Sequence, residues 1–396
     1  MTRILFCGDV PFPRGVAGSN FSLCTAKLFR EAGYDVIYIG LDSAVEDVTD
    51  PDSGLFIYEG IKYTTVAGGS GYKGTLNVKL LSGRNAVKKL RELGACRDDI
   101  IVTYGTNSAY LRPVLGFAKK RNIKTVSMSC EWHLPMQYRL GKMDIRYISS
   151  NTSFEKLIPG SKNVIVVSKL IESRYREKNC HILRMPMLLD EESSKDDFVD
   201  RKLQKGERRN IVYAGDPGRK DDLCTVLKGI SLLDKEEREK MKFHWVGLGK
   251  EASKAKMGQD GYLLDELSDC VETYDRMDLK ELMTFYKDMD FLALARNDNR
   301  ISNAGFPSKV PEAMLQGIIP VINRVGDVPS YLHDGEDAFI FEKNDAESFL
   351  TALKRIIGAT EEDIYKMRCA ACENARKSFE YHQWIDTMTE FMKNLI

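Results

Sequence analysis

Ala304-Gly305-Phe306-Pro307-Ser308-Lys309-Val310-Pro311-Glu312-Ala313-Met314 lies between two short apolar runs, 291–295 and 317–322. The runs read as buried strands and the segment between them as a turn that opens a helix. A glycine-bearing turn at a helix N-terminus leaves backbone N–H groups and a positive dipole end without partners, which suits an anion. Lys309 adds a full positive charge at that point. Glu312 stands about one turn into the helix and can accept two hydroxyl hydrogen bonds. A diphosphate and a ribose diol fit this layout. On these residues alone, an ordinary strand–turn–helix with incidental charges fits equally well.

The same alternation of short apolar runs and helical stretches extends over the whole chain of 396 residues. In the first half the runs are 4–8, 36–40, 100–104, 125–128, 164–168 and 182–186; in the second they are 211–215, 243–247, 291–295, 318–322 and 338–341. Runs that are continuously apolar, with helices between them, indicate parallel strands covered on both faces. The pattern therefore predicts an α/β protein built of two Rossmann-like, doubly wound domains. The acidic, aperiodic stretch Asp190-Glu191-Glu192-Ser193-Ser194-Lys195-Asp196-Asp197 marks their join. The expected division is 1–190 and 191–378, with a loose segment to about 208. Over 379–396, Phe379, Tyr381, Trp384, Ile385, Met388 and Phe391 recur at helical spacing. A last helix that aromatic needs a large surface, and the domain junction is the expected one.

Apolar content of 43% and charged content of 29% are those of a globular protein. No apolar run approaches the ~18 residues that span a bilayer, and Asp9 interrupts the N-terminal run before a secretory core could form. Nine cysteines, odd in number and scattered, point to reduced thiols and a cytoplasmic setting. Cys369 and Cys372 form a C-x-x-C inside a helical stretch, 365–378, and read as packed helix residues. Net charge is zero, but residues 1–190 carry 27 Lys+Arg against 18 Asp+Glu, and 191–396 carry 31 against 40. The first half is thus +9 and the second −9. The basic half is densest around Arg112, Lys119, Lys120, Arg121, Lys124, Arg139, Lys142 and Arg146. Such a face attracts lipid headgroups or another anionic partner, so a peripheral contact with the inner face of a membrane is expected. A solvated surface without a partner is the competing reading. No pattern of a nucleic-acid module accompanies the charge, so nucleic acid is not an expected partner.

Several segments, in order, resemble the group 1 glycosyltransferases (family 4), which have the GT-B fold and are retaining enzymes using nucleotide-diphosphate sugars. Pro13-Arg14-Gly15-Val16-Ala17-Gly18-Ser19-Asn20 resembles the family's glycine loop, which assigns Gly18 to the donor site. Cys130-Glu131-Trp132-His133 lies where the family sets a histidine against the donor sugar, which gives His133 that role. Tyr213-Ala214-Gly215-Asp216-Pro217-Gly218-Arg219-Lys220-Asp221 resembles the loop that supplies a basic pair to the diphosphate. Asp216 stands where the family usually has its arginine, so the resemblance hands the work to Arg219 and Lys220, beside Gly215. The segments 245–249 and 274–277 lie where the family wraps the base.

The opening segment matches the family's motif of two glutamates eight positions apart. Glu312 holds the second place, on the ribose; Ala304 stands in the first, where an acid usually meets the donor sugar. The motif Ala-Gly-Phe-Pro-Ser/Thr-Lys suggests a subgroup, in which Gly305, Phe306, Pro307, Ser308 and Lys309 contact the donor. Arg296, Asp298 or Asn303 then becomes the candidate to replace the missing acid. The resemblance implies transfer of a sugar from a nucleotide-diphosphate donor, UDP-sugar favoured, to a saccharide or lipid-linked hydroxyl in polysaccharide or glycoconjugate synthesis. His133, Lys220 and Glu312 are the implied catalytic residues, and no cofactor and no metal is implied. Asp288-Met289-Asp290 has the letters of a metal motif but leads straight into a buried strand. Ala304 leaves open an alternative, a subunit that binds a nucleotide sugar without transferring it.

Overall fold

The structure, a computed structural model, describes residues 2–42, 48–66, 80–191, 200–218 and 220–396. Arg219, residues 67–75 and 192–199 of the expected loop and linker segments lie outside the described residues. The chain divides into two compact units. The first comprises Met1–Asp190, Ala304–Phe306 and Glu380–Ile396; the second comprises Glu191–Asn303 and Pro307–Phe379.

Among the described residues the first unit is built on nine strands: β1 (Arg3–Pro11), β2 (Asp35–Leu41), β3 (Val48–Thr49), β4 (Phe56–Tyr58), β5 (Ile61–Val66), β6 (Ile100–Tyr104), β7 (Lys124–Ser129), β8 (Asn163–Val166) and β9 (His181–Arg184). Their order is β3-β4-β5-β2-β1-β6-β7-β8-β9. All neighbours run parallel except β3–β4 and β4–β5. Strand β1 shows why residues 4–7 are apolar at every position. Ile4 and Phe6 enter one core cluster, and Leu5 and Cys7 enter the cluster on the opposite face. Both faces are therefore covered along this stretch, and none of its positions is free to be polar.

The three strands β3 to β5 are absent from the sequence expectation. β3 and β4 are only two and three residues long, and β5, Ile61-Lys62-Tyr63-Thr64-Thr65-Val66, mixes buried and half-buried positions because this end of the sheet has one face half exposed.

The C-terminal segment of this unit forms a short 3-10 turn, Tyr381–Trp384, and then a helix, Ile385–Lys393. Tyr381, Met388, Phe391, Met392 and Leu395 enter the same cluster as Ile4 and Phe6. The imidazole of His181 stacks on Phe391 at 4.6 Å, and Asn163 Oδ1 accepts from the Ile396 amide at 2.9 Å. These anchors place the aromatic residues of the tail in the core of the first unit.

Among its described residues the second unit carries six parallel strands: β10 (Arg209–Ala214), β11 (Met241–Val246), β12 (Val271–Tyr274), β13 (Phe291–Leu294), β14 (Ile319–Asn323) and β15 (Phe339–Phe341). The order β12-β11-β10-β13-β14-β15 reverses between β10 and β13. In doubly wound sheets, ligands bind beyond the carboxyl ends of the strands at that reversal. Asp290, at the entry to β13, is fully buried. It accepts from the Asn210 amide at 2.9 Å and pairs with Arg201 at 3.1 Å and Arg368 at 3.6 Å. It therefore ties β10 to β13 and is a framework carboxylate. No helix among the described residues is long and apolar enough to cross a membrane.

Candidate functional site

In the second unit the loops after β10 and β13 meet around Lys309. Gly215 ends β10 with φ of 129°, a conformation costly for any side chain, and a Cβ there would stand 3.1 Å from Lys309 Nζ. The ammonium lies 4.2 Å from the centre of the Tyr213 ring, 3.0 Å from its hydroxyl and 3.1 Å from Asp221 Oδ2. Tyr213 donates its hydroxyl to Asp221 at 2.9 Å, and Arg296 Nε donates to the other carboxylate oxygen at 2.9 Å. Asn323 locks Arg296 by accepting from its amide at 2.7 Å and donating to its carbonyl at 2.9 Å.

Burial alone would raise the Asp221 carboxyl. Arg296 and Lys309, helped by the Tyr213 hydroxyl, outweigh it and hold Asp221 below the usual aspartate value. Burial lowers the Lys309 ammonium against the pull of Asp221. An anion placed beside it would reverse that shift. Two cations share the Asp221 carboxylate here, at the strand reversal.

Glu312 lies on the helix Lys309–Leu315 with an exposed side chain. The protein crowded around it raises its carboxyl to about 7 against the pull of Lys309. Water reaching the exposed face favours the charged form, so the rise is at most that large. Ser308 and Pro307 precede the same helix, and Ser308 makes no side-chain cap hydrogen bond to it. Lys220 is half-buried one residue before Asp221. Asp216 pairs with Lys256 at 2.6 Å. Of the candidates to replace the missing acid, Arg296 is held by Asp221 and Asn323. Asp298 accepts from Asn303 at 2.7 Å, and Asn303 in turn accepts from the Gly326 amide at 2.7 Å.

The first unit has its own reversal, between β1 and β6, and a cavity of about 130 Å³ opens there. Asp9, Tyr104, Thr106, Ser129 and Glu131 line it among others. Burial raises the Asp9 carboxyl to about 7, offset in part by a hydrogen bond from the Asn107 amide. Gly18 sits in the first turn of the helix Ala17–Glu31, where a Cβ would come within 2.9 Å of the Tyr104 hydroxyl. His133 joins the cavity wall through Nε2, 2.7 Å from Glu131, while its Nδ1 is 2.5 Å from the Tyr138 hydroxyl and 2.9 Å from Ser150 Oγ.

Ala304, Gly305 and Phe306 group with the first unit and Pro307 onward with the second. Ala304 is fully buried in a first-unit cluster, and its carbonyl accepts from Ser168 at 2.9 Å. A glutamate there would bury its charge, a physical reason for the small residue.

Thus Lys309 and Gly215 lie together, with Glu312 on the same helix as Lys309. His133 and Gly18 each adjoin a residue that lines the first-unit cavity, Glu131 and Tyr104 respectively. Asp221 and Asp9 are missed by the sequence reasoning. Nothing local distinguishes Asp221, whose partners Arg296 and Lys309 stand 75 and 88 positions away. Position at the end of β1 was the one available signal for Asp9. Cys372 donates its thiol to the Leu315 carbonyl at 3.1 Å, in keeping with a packing role. Among the described residues no group of His, Cys, Asp and Glu is arranged to hold a metal.

Residues 208–359 match the model of the family described as glycosyl transferases group 1. No curated protein matches the chain. Among solved structures, sucrose-phosphate synthase from Thermosynechococcus elongatus is similar over 99% of both chains, at 13% identity and a TM-score of 0.68. The α,α-trehalose 6-phosphate synthase of Burkholderia multivorans is similar over 99% of this chain and 98% of its own, at 10% identity and 0.69. The Anabaena HepE protein, in complex with UDP and glucose, is similar over 100% of both, at 12% identity and 0.63. The chain therefore has the two-sheet GT-B fold of these proteins, and residues 208–359 carry its likeness in sequence to the group 1 glycosyltransferases.

Proposed function

We propose that this protein is a retaining glycosyltransferase that moves a sugar from a nucleotide-diphosphate donor to a hydroxyl of a saccharide or lipid-linked acceptor. The observation that carries the reading is Lys309 beside Gly215 at the strand reversal of the second unit, within the segment that matches the group 1 family. The diphosphate would lie against Lys309, Lys220 and the turn at Pro307–Ser308, with Glu312 accepting from the ribose hydroxyls. As the nucleotide diphosphate leaves, these fixed positive groups would stabilise the charge it gains, without a metal. The cavity lined by Asp9, Glu131 and hydroxyl side chains offers hydrogen-bond acceptors suited to the hydroxyls of an acceptor. UDP-sugars are the favoured donors, and the complex of the structurally similar HepE with UDP supports that choice. The basic surface of the first unit favours peripheral attachment to a cytoplasmic membrane face.

A thermal-shift comparison of UDP, GDP, ADP, CMP and dTDP, with and without magnesium, tests this. A ligand at 100 times its dissociation constant adds about 2.7 kcal/mol of stability. One diphosphate raising the melting temperature without magnesium is the expected result; a flat response to all five would reject the donor site. A diphosphate that binds while no donor is ever hydrolysed or transferred would favour the non-catalytic subunit, the reading that Ala304 alone supports.

A further inference from the structure

Eleven large apolar side chains are exposed among the described residues, and five of them fall between positions 136 and 148 of the first unit. Met136 is 74% exposed, Leu140 61%, Met143 79%, Ile145 75% and Ile148 50%. Isolated exposed apolar residues need no explanation, but a contiguous set does. The segment is two 3-10 turns, Pro135–Gln137 and Gly141–Met143, followed by the helix Ile145–Thr152. Ile145 and Ile148, three positions apart, share one face of that helix.

The set is held in place from beneath. Asp144 is buried, caps the helix through the Arg146 amide at 3.0 Å, and takes the Arg146 guanidinium at 2.8 Å. The Arg146 guanidinium lies 5.4 Å over the Tyr138 ring, and Tyr138 and Tyr147 pack at 5.9 Å. Tyr138 and Ser150 both reach His133. Arg139 and Lys142 are exposed between the apolar residues, so positive charge and apolar surface alternate along one stretch. An apolar face threaded with cations fits the boundary between anionic headgroups and acyl chains, where the apolar side chains and the cations each find their own partner.

We propose that segment 136–148 seats the first unit on an anionic lipid bilayer, its apolar side chains entering the headgroup boundary while Arg139 and Lys142 meet lipid phosphates. This deepens the transferase reading above and rests on it for one consequence. The contacts from the segment through His133 and Glu131 lead to the first-unit cavity, so an acceptor carried by a lipid would be delivered beside it.

The test is flotation of the full chain with vesicles of phosphatidylcholine alone, or of phosphatidylcholine and phosphatidylglycerol at about seven to three, at low and high salt. The wild type should float with the anionic vesicles at low salt and lose most of that binding at high salt. The double variant Met143→Glu, Ile145→Glu should bind about tenfold more weakly or not at all. Arg139→Glu with Lys142→Glu should remove the preference for anionic vesicles. Leu232→Glu, an equally drastic change at an exposed apolar residue of the second unit, should float as the wild type does. Wild type that stays with the lipid-free fraction, or a Met143→Glu, Ile145→Glu variant that floats normally, overturns the proposal. So does a wild type that forms dimers on sedimentation, lost in that variant, with vesicle binding absent. Nucleotide-induced thermal shifts are recorded on the same samples. Shifts without flotation would reject the membrane face and keep the donor site; flotation without shifts would do the reverse. An unchanged shift in the variants also shows that they are folded.

Discussion

Glu312 accepts the stronger, charge-assisted hydrogen bonds only when ionised, yet its surroundings raise its carboxyl to about 7. Proton loss therefore precedes good ribose binding, and affinity for a nucleotide diphosphate should climb as pH rises towards about 7 and then level off. Because water reaches the side chain, the step lies at or below that value. Titration calorimetry across this range is expected to show the rise in the wild type and a flatter profile in Glu312→Gln, which cannot ionise. Glu312→Ala should weaken nucleotide binding by about 1.5–3 kcal/mol, the range for hydrogen bonds to a charged group. Since the side chain is exposed, the ligand-free melting temperature should hardly move; a large fall would mark Glu312 as structural. Asp221 shows the limit of reading single residues. As a letter beside Lys220 it is unremarkable, and only the folded chain shows that one carboxylate holds two cations in place.

Elements were legible where both faces of the sheet are covered. Within β1, β10, β13 and β14 the stretches 4–7, 211–214, 291–294 and 319–322 are continuous apolar runs because each successive side chain enters a core on one side or the other. The edges were not. In β12, Glu272 is exposed and Thr273 half-buried, β3 and β4 are only two and three residues long, and β5 mixes polar with apolar positions, so none reads as an inner strand. The same logic separates Asp290 from a metal ligand. It is fully buried beside Arg201 and Arg368, and Arg368 is 1% exposed. Asp290→Ala should leave buried cations without their carboxylate and cost about 3–5 kcal/mol, measurable by urea unfolding. A loss below about 1 kcal/mol would show that the cluster is held by other means.

At the scale of the whole molecule the chain leaves the first unit at Asp190 and returns to it at Glu380. Tyr381, Met388, Phe391, Met392 and Leu395 fill part of its core, each worth roughly 1.5–3 kcal/mol when buried. Deleting 380–396 removes a sum comparable to the ~5–15 kcal/mol of a typical domain. Limited proteolysis of that truncation should therefore cut within 1–190 much faster than within 208–379. Equal resistance of the two regions to protease would refute the importance of the tail.

The return of the chain also orders events during synthesis. The ribosome delivers residues 1–190 well before 380–396, so the groove that Phe391 and Leu395 fill stays open until that segment emerges. Throughout production of the second unit the nascent first unit carries an apolar gap facing water. Domains fold on the ribosome in order of appearance only when each is complete as it emerges. Here the unit that starts first is completed after the second, so the growing chain depends on whatever shields that gap until residues 380–396 arrive.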